Sequence, residues 1–173
     1  ASLTRLGTDH LDMYLTHETP DPATPLEETL RTMDDLIRVG KVRYIGASNM
    51  SAWLMTKALW ISDKHNLHRF NWVQNSYSLL DRSDEQEMLP LCADQKLGYT
   101  PFSPLAGGWL TGKYKTGQSF PGGSRMTLRP EPYQKFLNET TYARLDALGA
   151  YAAARGTDMA ALALAWVMSN PLV

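Results

Sequence analysis

Residues 41–49 read Lys-Val-Arg-Tyr-Ile-Gly-Ala-Ser-Asn, and this stretch decides the fold class of the chain. Its apolar run 42–47 contains β-branched and aromatic residues and follows Gly40, and a helical pattern begins soon after Asn49. This pattern predicts a buried parallel strand. Ligands bind at the carboxyl ends of such strands. Ser48 and Asn49 are therefore candidate contacts to a polar ligand group, although ordinary turn chemistry also explains a Ser-Asn pair.

The segments before this strand predict a strand and a helix. Residues 10–17 alternate and then run apolar, which predicts a strand that ends near His17. A helix follows, with Thr24 as its N-cap, Pro25 at its first position and Glu27 completing a capping box. Between the two, Pro20 and Pro22 are expected to exclude regular structure.

The rest of the chain repeats the alternation of strand and helix. Strands are predicted at 71–77 and 99–103, and helices at about 51–64, 84–96, 138–155 and 157–169. Pro90 is expected to bend or restart its helix, and Thr157 to cap the last one. Alternating elements predict an α/β fold with a parallel sheet. Because no GxGxxG follows a strand, a TIM-type (β/α) barrel, or part of one, is favoured over a Rossmann fold.

Composition indicates an ordinary globular protein. The 173 residues are 43% hydrophobic and 20% charged, with a net charge of -1. Because Lys and Arg are dispersed, neither a nucleic acid nor an anionic membrane is an expected partner. The single Cys92 fits a reducing compartment and is expected in the core. No apolar run approaches the roughly 20 residues of a membrane span, and no signal-peptide pattern opens the chain, so we expect a cytoplasmic location.

Regular patterning fails over residues 104–137, which predicts a long loop. Loops of this length in compact domains are commonly functional, and this one follows the carboxyl end of a strand. At the two ends, Ala1 is not a Met and Val173 stops where a further strand would be expected. We therefore expect both ends to lie inside a longer chain.

Several motifs occur in a characteristic order and spacing along the whole chain. They are Arg-Leu-Gly-Thr-Asp at 5–9, Leu-Asp-Met-Tyr-Leu-Thr-His at 11–17, the stretch 40–49, Gln-Asn-Ser-Tyr-Ser at 74–78, Ser-Pro-Leu-Ala-Gly-Gly at 103–108 and Gly-Lys-Tyr at 112–114. With these motifs the sequence resembles the aldo-keto reductase family, in particular the bacterial branch near the potassium-channel beta subunits.

This resemblance implies an eight-stranded (β/α) barrel that binds NADP(H) and reduces aldehydes and ketones, so the expected substrate is a small carbonyl compound. It also implies that His17 is a catalytic residue. An imidazole at a strand's carboxyl end can donate a hydrogen bond to a carbonyl oxygen and favour the negative charge that develops there. Spacing alone would favour a core histidine satisfied by the backbone, and the resemblance reverses that preference.

The resemblance further implies a set of cofactor contacts. Ser48, Asn49 and Gln74 would hold the nicotinamide carboxamide, whose oxygen and NH₂ need a donor and an acceptor together. Phe102 would stack on the nicotinamide ring. The other implied contacts are Ser103, Pro104, Leu105 and Gly107 around the diphosphate, Lys113 on a phosphate, and Arg125 near the adenosine. A solvated surface charge is the alternative for Lys113 and for Arg125.

The family's catalytic aspartate, tyrosine and lysine match no residue of this sequence. Residues 1–173 are therefore expected to be a single partial barrel domain with about four of eight strands, inactive by itself. Its open face would be covered by self-association or by the remainder of the barrel. A non-catalytic NADP(H)-binding regulatory subunit, as among the channel beta subunits, is the alternative function.

A metal site is not expected, because His65 and His68 have no cysteine or carboxylate ligand placed with them in sequence. The tryptophans at 53, 60 and 72 are assigned to packing, because no basic groove accompanies them.

Overall fold

A computed structural model describes residues 1–17 and 23–173, so the interruptions predicted at Pro20 and Pro22 lie outside the described residues. Four strands form one sheet in chain order: β1 (Leu11–Thr16), β2 (Val42–Ser48), β3 (Trp72–Ser76) and β4 (Gly98–Phe102). The β1–β2 and β2–β3 pairs are parallel. The predicted alternation of parallel strands and helices is confirmed.

In the part of the chain that the structure describes, seven α-helices accompany the sheet: α1 (Ser2–Leu6), α2 (Leu26–Arg38), α3 (Ala52–His65), α4 (Met88–Gln95), α5 (Arg125–Leu128), α6 (Glu139–Ala153) and α7 (Met159–Met168). The predicted loop 104–137 contains α5 and two 3-10 segments, Ala106–Thr111 and Glu131–Phe136. Two compact units are distinguished: Ala1–Asn75 with Ser83–Thr100, and Ser76–Arg82 with Pro101–Pro171. That residues 1–173 are one domain stays a prediction.

Strand register places the polar strand ends of the first unit on one face of the sheet. Gly46 lies opposite Leu15 on β1 and Trp72 on β3, and two residues further along Ser48 lies opposite Gln74. Because side chains alternate along a strand, residues 46 and 48 share a face. His17 lies one residue beyond the Thr16–Ala47 pair, so it comes next to Ser48, which is itself paired with Gln74. The three residues thus form one row across the strands.

The opposite face of β2 forms the core of the first unit. Ile45 and Ala47 are both fully buried, and α2 packs against β2 with Leu30 and Met33 buried. Burying an aliphatic side chain of this size contributes about 2 kcal/mol. At the other face, the register partners Met13 and Tyr44 are each 55% exposed.

A cluster around Trp109 is the core of the second unit. Its buried members are Ala106, Trp109, Leu110, Tyr114, Met126, Phe136, Leu145, Met159 and Ala163. Trp109 meets the rings of Tyr114 and Phe136 at centroid distances of 5.1 and 5.9 Å. These edge-on contacts hold the irregular segment Ala106–Thr111 on a packed base.

Two predicted helix caps are wrong. The N-cap of α2 is Pro25, whose carbonyl accepts from Glu28 N at 2.9 Å, and Glu27 binds Arg31 at 2.7 Å instead of closing a capping box with Thr24. The N-cap of α7 is Asp158, not Thr157, because the Asp158 carboxylate accepts from Ala161 N at 2.7 Å. A carboxylate there also complements the helix dipole.

The predicted helix 84–96 is two elements. A 3-10 turn, Ser83–Glu85, precedes α4, and Glu87 separates them with a non-helical φ of -136°. Pro90 therefore lies in the first turn of α4, where its missing N–H costs no helical hydrogen bond. Cys92 on α4 is buried, as predicted, and burial raises the pKa of its thiol to about 11, with a smaller contribution from Asp84.

The assignment of all three tryptophans to packing is only partly right. Trp72 is buried, whereas Trp53 and Trp60 on α3 are 66% and 59% exposed. In the turn of α3 that follows Trp53, the buried residues are Leu54 and Met55, and these two pack against the rest of the unit. Across the described residues, no helix is both long and apolar enough to cross a membrane.

A buried acid on α2 was not anticipated. Asp34 accepts hydrogen bonds from the backbone N of His68 at 2.8 Å and from Arg38, and it contacts His68 Nδ1 at 2.6 Å. Burial by itself would raise the pKa of Asp34, but the hydrogen bonds from Arg38 and His68 outweigh it and lower the pKa to about 2. His68 thus ties the segment after α3 to α2. Among the described residues, no group of three or more His, Cys, Asp or Glu is placed to hold a metal.

Replacing Asp34 by asparagine is expected to lower the free energy of unfolding by about 1 to 2 kcal/mol at pH 7. Because the folded pKa lies below 3.8, the ordinary pKa of an aspartate, the carboxylate's contribution to stability is fully present above about pH 4 and is lost as pH falls toward 2. Urea unfolding at pH 7 and pH 3 measures the difference in the free energy of unfolding between variant and wild type. Asp35→Asn, at an exposed neighbour, is the control, and an equal loss at both pH values for Asp34→Asn would contradict the assignment.

Candidate functional site

Hydrogen bonds tie the carboxyl ends of β1 and β2 to each other and to the middle of β3. The main-chain oxygen of Gln74 accepts from Ser48 Oγ at 2.9 Å and from Asn49 N at 3.1 Å. Asn49 Nδ2 donates to the main-chain oxygen of His17 at 2.7 Å. These bonds bring four predicted site residues, His17, Ser48, Asn49 and Gln74, to one edge of the sheet.

Asn49 takes a backbone conformation that few residues adopt. Its φ is 55°, in the left-handed region, where Asn is among the few non-glycine residues found. Its side-chain amide lies 3.2 Å from Ser48 Oγ as well as contacting His17. The turn after β2 is therefore held in one conformation, with the amide of Asn49 exposed at the strand ends.

Hydroxyl and amide groups at this edge suit a ligand that is itself an amide. Ser48 is buried, while Gln74 is half-exposed and anchors its neighbours through its main-chain oxygen, not its side chain. A carboxamide ligand requires a donor for its oxygen and an acceptor for its NH₂, and Asn and Gln side chains supply both. His17 is exposed on the same row and has an imidazole N–H suited to a carbonyl oxygen.

The predicted diphosphate segment lies in the second unit. After β4 ends at Phe102, positive φ values occur at Ser103 (53°), Ala106 (49°) and Gly107 (65°). Ala106 N donates to Ser103 O at 2.8 Å, which closes a tight turn. Left-handed conformations at non-glycine residues are strained and cluster at ligand sites.

A residue that the sequence did not single out, Tyr133, packs on this turn. Its hydroxyl lies 3.2 Å from Ser103 Oγ, and a Cβ placed on Gly107 would come within 2.5 Å of its ring. Gly107 must therefore lack a side chain. Thirty positions separate Tyr133 from Ser103, so no local pattern indicates this contact.

A cavity of about 210 Å³ lies beside this turn. Its lining in the second unit includes Ser76, Ser78, Asp81, Phe102, Ser103, Tyr133 and Lys135. Lys135 Nζ and Asp81 Oδ2 pair at 2.9 Å across one wall. Both Phe102, proposed to stack on a flat ring, and Ser103 thus border a space of small-ligand size.

Lys113, predicted to contact a phosphate, and Arg125, predicted near the adenosine, are placed differently. Lys113 lies along the backbone of Gly108, because a Cβ on Gly108 would overlap Lys113 Cε. Arg125 is the exposed first residue of α5, and α5 packs against the segment Ala106–Thr111. Pro104 and Leu105 are half-buried within the turn. The roles of all these residues stay predictions.

Comparison with known proteins identifies relatives along the whole chain. The sequence model of the "Aldo/keto reductase family" matches residues 1–173. A versiconal hemiacetal acetate reductase of Aspergillus parasiticus is 35% identical over 178 residues, which cover 99% of this chain and 49% of that protein. A probable voltage-gated potassium channel subunit beta of Oryza sativa is 39% identical over 177 residues, covering 99% of this chain and 53% of that protein.

A solved structure supports the same conclusion about the fold. The glycerol dehydrogenase of Gluconobacter oxydans superposes with a TM-score of 0.76 at 27% identity, covering 96% of this chain and 48% of that one. The chain spans about half the length of the curated relatives it matches. The predicted family resemblance and the predicted α/β fold, a partial (β/α) barrel, are confirmed.

Proposed function

The chain belongs to the aldo/keto reductase family, and from this premise we propose that the full protein reduces aldehydes or ketones to alcohols with NADP(H). The observation that carries the proposal is the convergence of His17, Ser48, Asn49 and Gln74 at one sheet edge. Family membership supports oxidoreductase chemistry, and the choice of NADP(H) over NAD(H) rests on the resemblance.

The residues present fit a nicotinamide cofactor in two places. Ser48, Asn49 and Gln74 would hold the carboxamide, and the turn that begins at Ser103 would approach the diphosphate with backbone N–H groups. Phe102 would stack on the nicotinamide ring, since stacking needs only an aromatic face. Lys113 would add positive charge for a phosphate group, and Arg125 would lie near the adenosine. When bound, the cofactor supplies the hydride.

His17 would act on the substrate. Its imidazole N–H donates to the carbonyl oxygen, which orients the carbonyl and stabilises the negative charge as hydride reaches the carbon. The alkoxide must then be protonated, and the family's tyrosine acid matches no residue of this sequence. We therefore propose that protonation depends on residues outside 1–173.

Replacing Asn49 by alanine is expected to weaken NADPH binding by about tenfold or more, because the variant loses the amide and the bond that fixes His17. Fluorescence titration of the full protein with NADPH measures the dissociation constant. Asn66→Ala is a matched control, because Asn66 is also an exposed asparagine with a positive φ of 51° but ends α3. Absence of NADPH binding by the wild type would overturn the proposal.

A regulatory function is the second candidate, favoured by the rice relative named as a channel subunit. It predicts that the protein binds NADPH tightly without turning over aldehydes. Steady-state oxidation of NADPH with a panel of aldehydes separates the two: turnover well above the buffer rate supports a reductase, and binding without turnover supports the regulatory subunit.

We further propose a cytoplasmic protein that takes a small carbonyl substrate and has neither a nucleic-acid nor a membrane partner. The support is a net charge of -1 with dispersed basic residues. The exposed Met13 and Tyr44 support the proposal that this sheet face is covered in the full protein, by self-association or by the remainder of a barrel.

A further inference from the structure

The residue after Gln74 makes a buried contact that the proposed cofactor site does not use. Asn75 is 7% exposed, and its side chain bonds both main-chain polar groups of Met50. Met50 N donates to Asn75 Oδ1 at 3.2 Å, and Asn75 Nδ2 donates to Met50 O at 2.9 Å. The Asn75 side chain thus satisfies both main-chain polar groups of Met50.

Two further residues of the first unit hold Asn75 in this orientation. Asn75 Nδ2 also donates to Asp84 Oδ2 at 2.8 Å, and the Tyr99 hydroxyl donates to the same oxygen at 2.9 Å. The amide orientation follows from these partners, because only a nitrogen can donate to both Met50 O and a carboxylate. A chain of three side chains from β3, the 3-10 turn Ser83–Glu85 and β4 therefore ends on the backbone at Met50.

Met50 follows Asn49 directly, and Met50 itself is 1% exposed. With Asn49 N bonded to Gln74 O and Met50 bonded to Asn75, the turn after β2 is fixed on both sides of the Asn49 side chain. A rotation about the strained Asn49 backbone would break bonds to buried groups, which would then lack partners.

We propose that Asn75, oriented by Asp84 and Tyr99, is a positioning residue that fixes the turn 48–50 so that Asn49 meets the carboxamide of the nicotinamide cofactor. This inference rests on the proposed function. Asn75 acts through the backbone of Met50, and its own amide is occupied by Met50 and Asp84. Its effect should therefore be confined to the carboxamide end of the ligand.

A test compares full-length Asn75→Ala and Tyr99→Phe with wild type in their affinities for three ligands. These are NADP+, its 3-acetylpyridine analogue, which lacks the amide NH₂, and adenosine 2′,5′-bisphosphate, which lacks the nicotinamide. In Asn75→Ala we expect NADP+ binding to weaken about tenfold. The ratio of the affinity for NADP+ to the affinity for the acetylpyridine analogue should fall, and the affinity for the bisphosphate should stay unchanged. Tyr99→Phe should show the same pattern at about threefold, because it removes only the outermost bond of the chain.

Ser62→Ala is the control, because Ser62 is another fully buried polar residue of the first unit, whose hydroxyl bonds His68 O at 3.4 Å. It should change none of the three affinities. If Asn75→Ala fails to fold, the Tyr99→Phe pattern decides the question. The positioning role alone is overturned if a folded variant binds all three ligands equally more weakly, or if its ratio of affinities for NADP+ and the acetylpyridine analogue is unchanged. Failure of the wild type to bind NADP+ overturns the proposed function as well.

Discussion

Replacing His17 by alanine in the full protein is expected to lower kcat for aldehyde reduction about 100-fold, as for loss of a single donor to a developing oxyanion. The imidazole lies at the carboxyl end of β1, on the row that contains Ser48 and Gln74. Because negative charge grows on the carbonyl oxygen only as hydride arrives, the loss should fall mainly on kcat. Stopped-flow and steady-state measurement of NADPH oxidation give the value.

His10→Ala is the matched control for this prediction. His10 immediately precedes the same strand at its amino end, where its Nδ1 pairs with Asp9 at 2.7 Å. It should leave kcat and NADPH affinity unchanged, because ligands of parallel sheets bind at the carboxyl ends. A His17→Ala enzyme with nearly wild-type kcat, or one whose main defect is NADPH affinity, would contradict the proposed role.

Strand positions and the polar strand ends were predictable because they follow local rules. The pattern of residues 42–47 predicts a parallel strand, and the structure has one that extends one residue further, to Ser48. Once the strands are parallel and in chain order, their carboxyl ends meet at one edge, so His17 and Ser48 fall together without any knowledge of contacts. Asn49 follows for the same reason. Gln74 lies in the middle of β3, and only the family resemblance assigned it to the site.

Contacts between distant positions were not predictable. Asp34 belongs to a helix whose periodicity gives no sign of a partner, because His68 lies 34 positions away. Tyr133 reaches Ser103 across 30 positions through a stretch with no regular pattern. In both cases a polar side chain is wholly or partly buried beside a distant group that bonds it, and sequence periodicity records only which side chains are apolar.

Helix ends show the limit even for local rules. Thr24 and Thr157 are good capping residues, yet α2 and α7 begin at caps one residue later. A good N-cap residue contributes only about 1 kcal/mol relative to alanine, which packing of the adjoining strand or loop can exceed. The helices themselves were found because their apolar periodicity extends over many residues.

Gly46 is the residue whose replacement should most disturb the first unit. A Cβ at this position would lie 2.5 Å from Trp72 Cδ2 and 2.7 Å from Cε2. Trp72 is 5% exposed, and Gly46 and Trp72 are register partners two residues before the Ser48–Gln74 pair. Because the buried indole already lies against Gly46, either the ring or the strands must shift to admit a methyl group.

Gly46→Ala is therefore expected to lower the free energy of unfolding by about 3 kcal/mol, the upper end of overpacking costs. Urea unfolding gives this value, and Gly122→Ala, whose added Cβ meets nothing within 4 Å, should change it little. In a Trp72→Leu background the same substitution should cost much less, because the clashing ring is gone and the two sites are directly coupled. Equal costs in the two backgrounds would mean that the glycine serves backbone conformation instead of the close approach of the indole. Ser48 and Gln74 lie on the same two strands as Gly46 and Trp72, so Gly46→Ala should also weaken NADPH binding. In the Trp72→Leu background, Gly46→Ala should weaken NADPH binding much less.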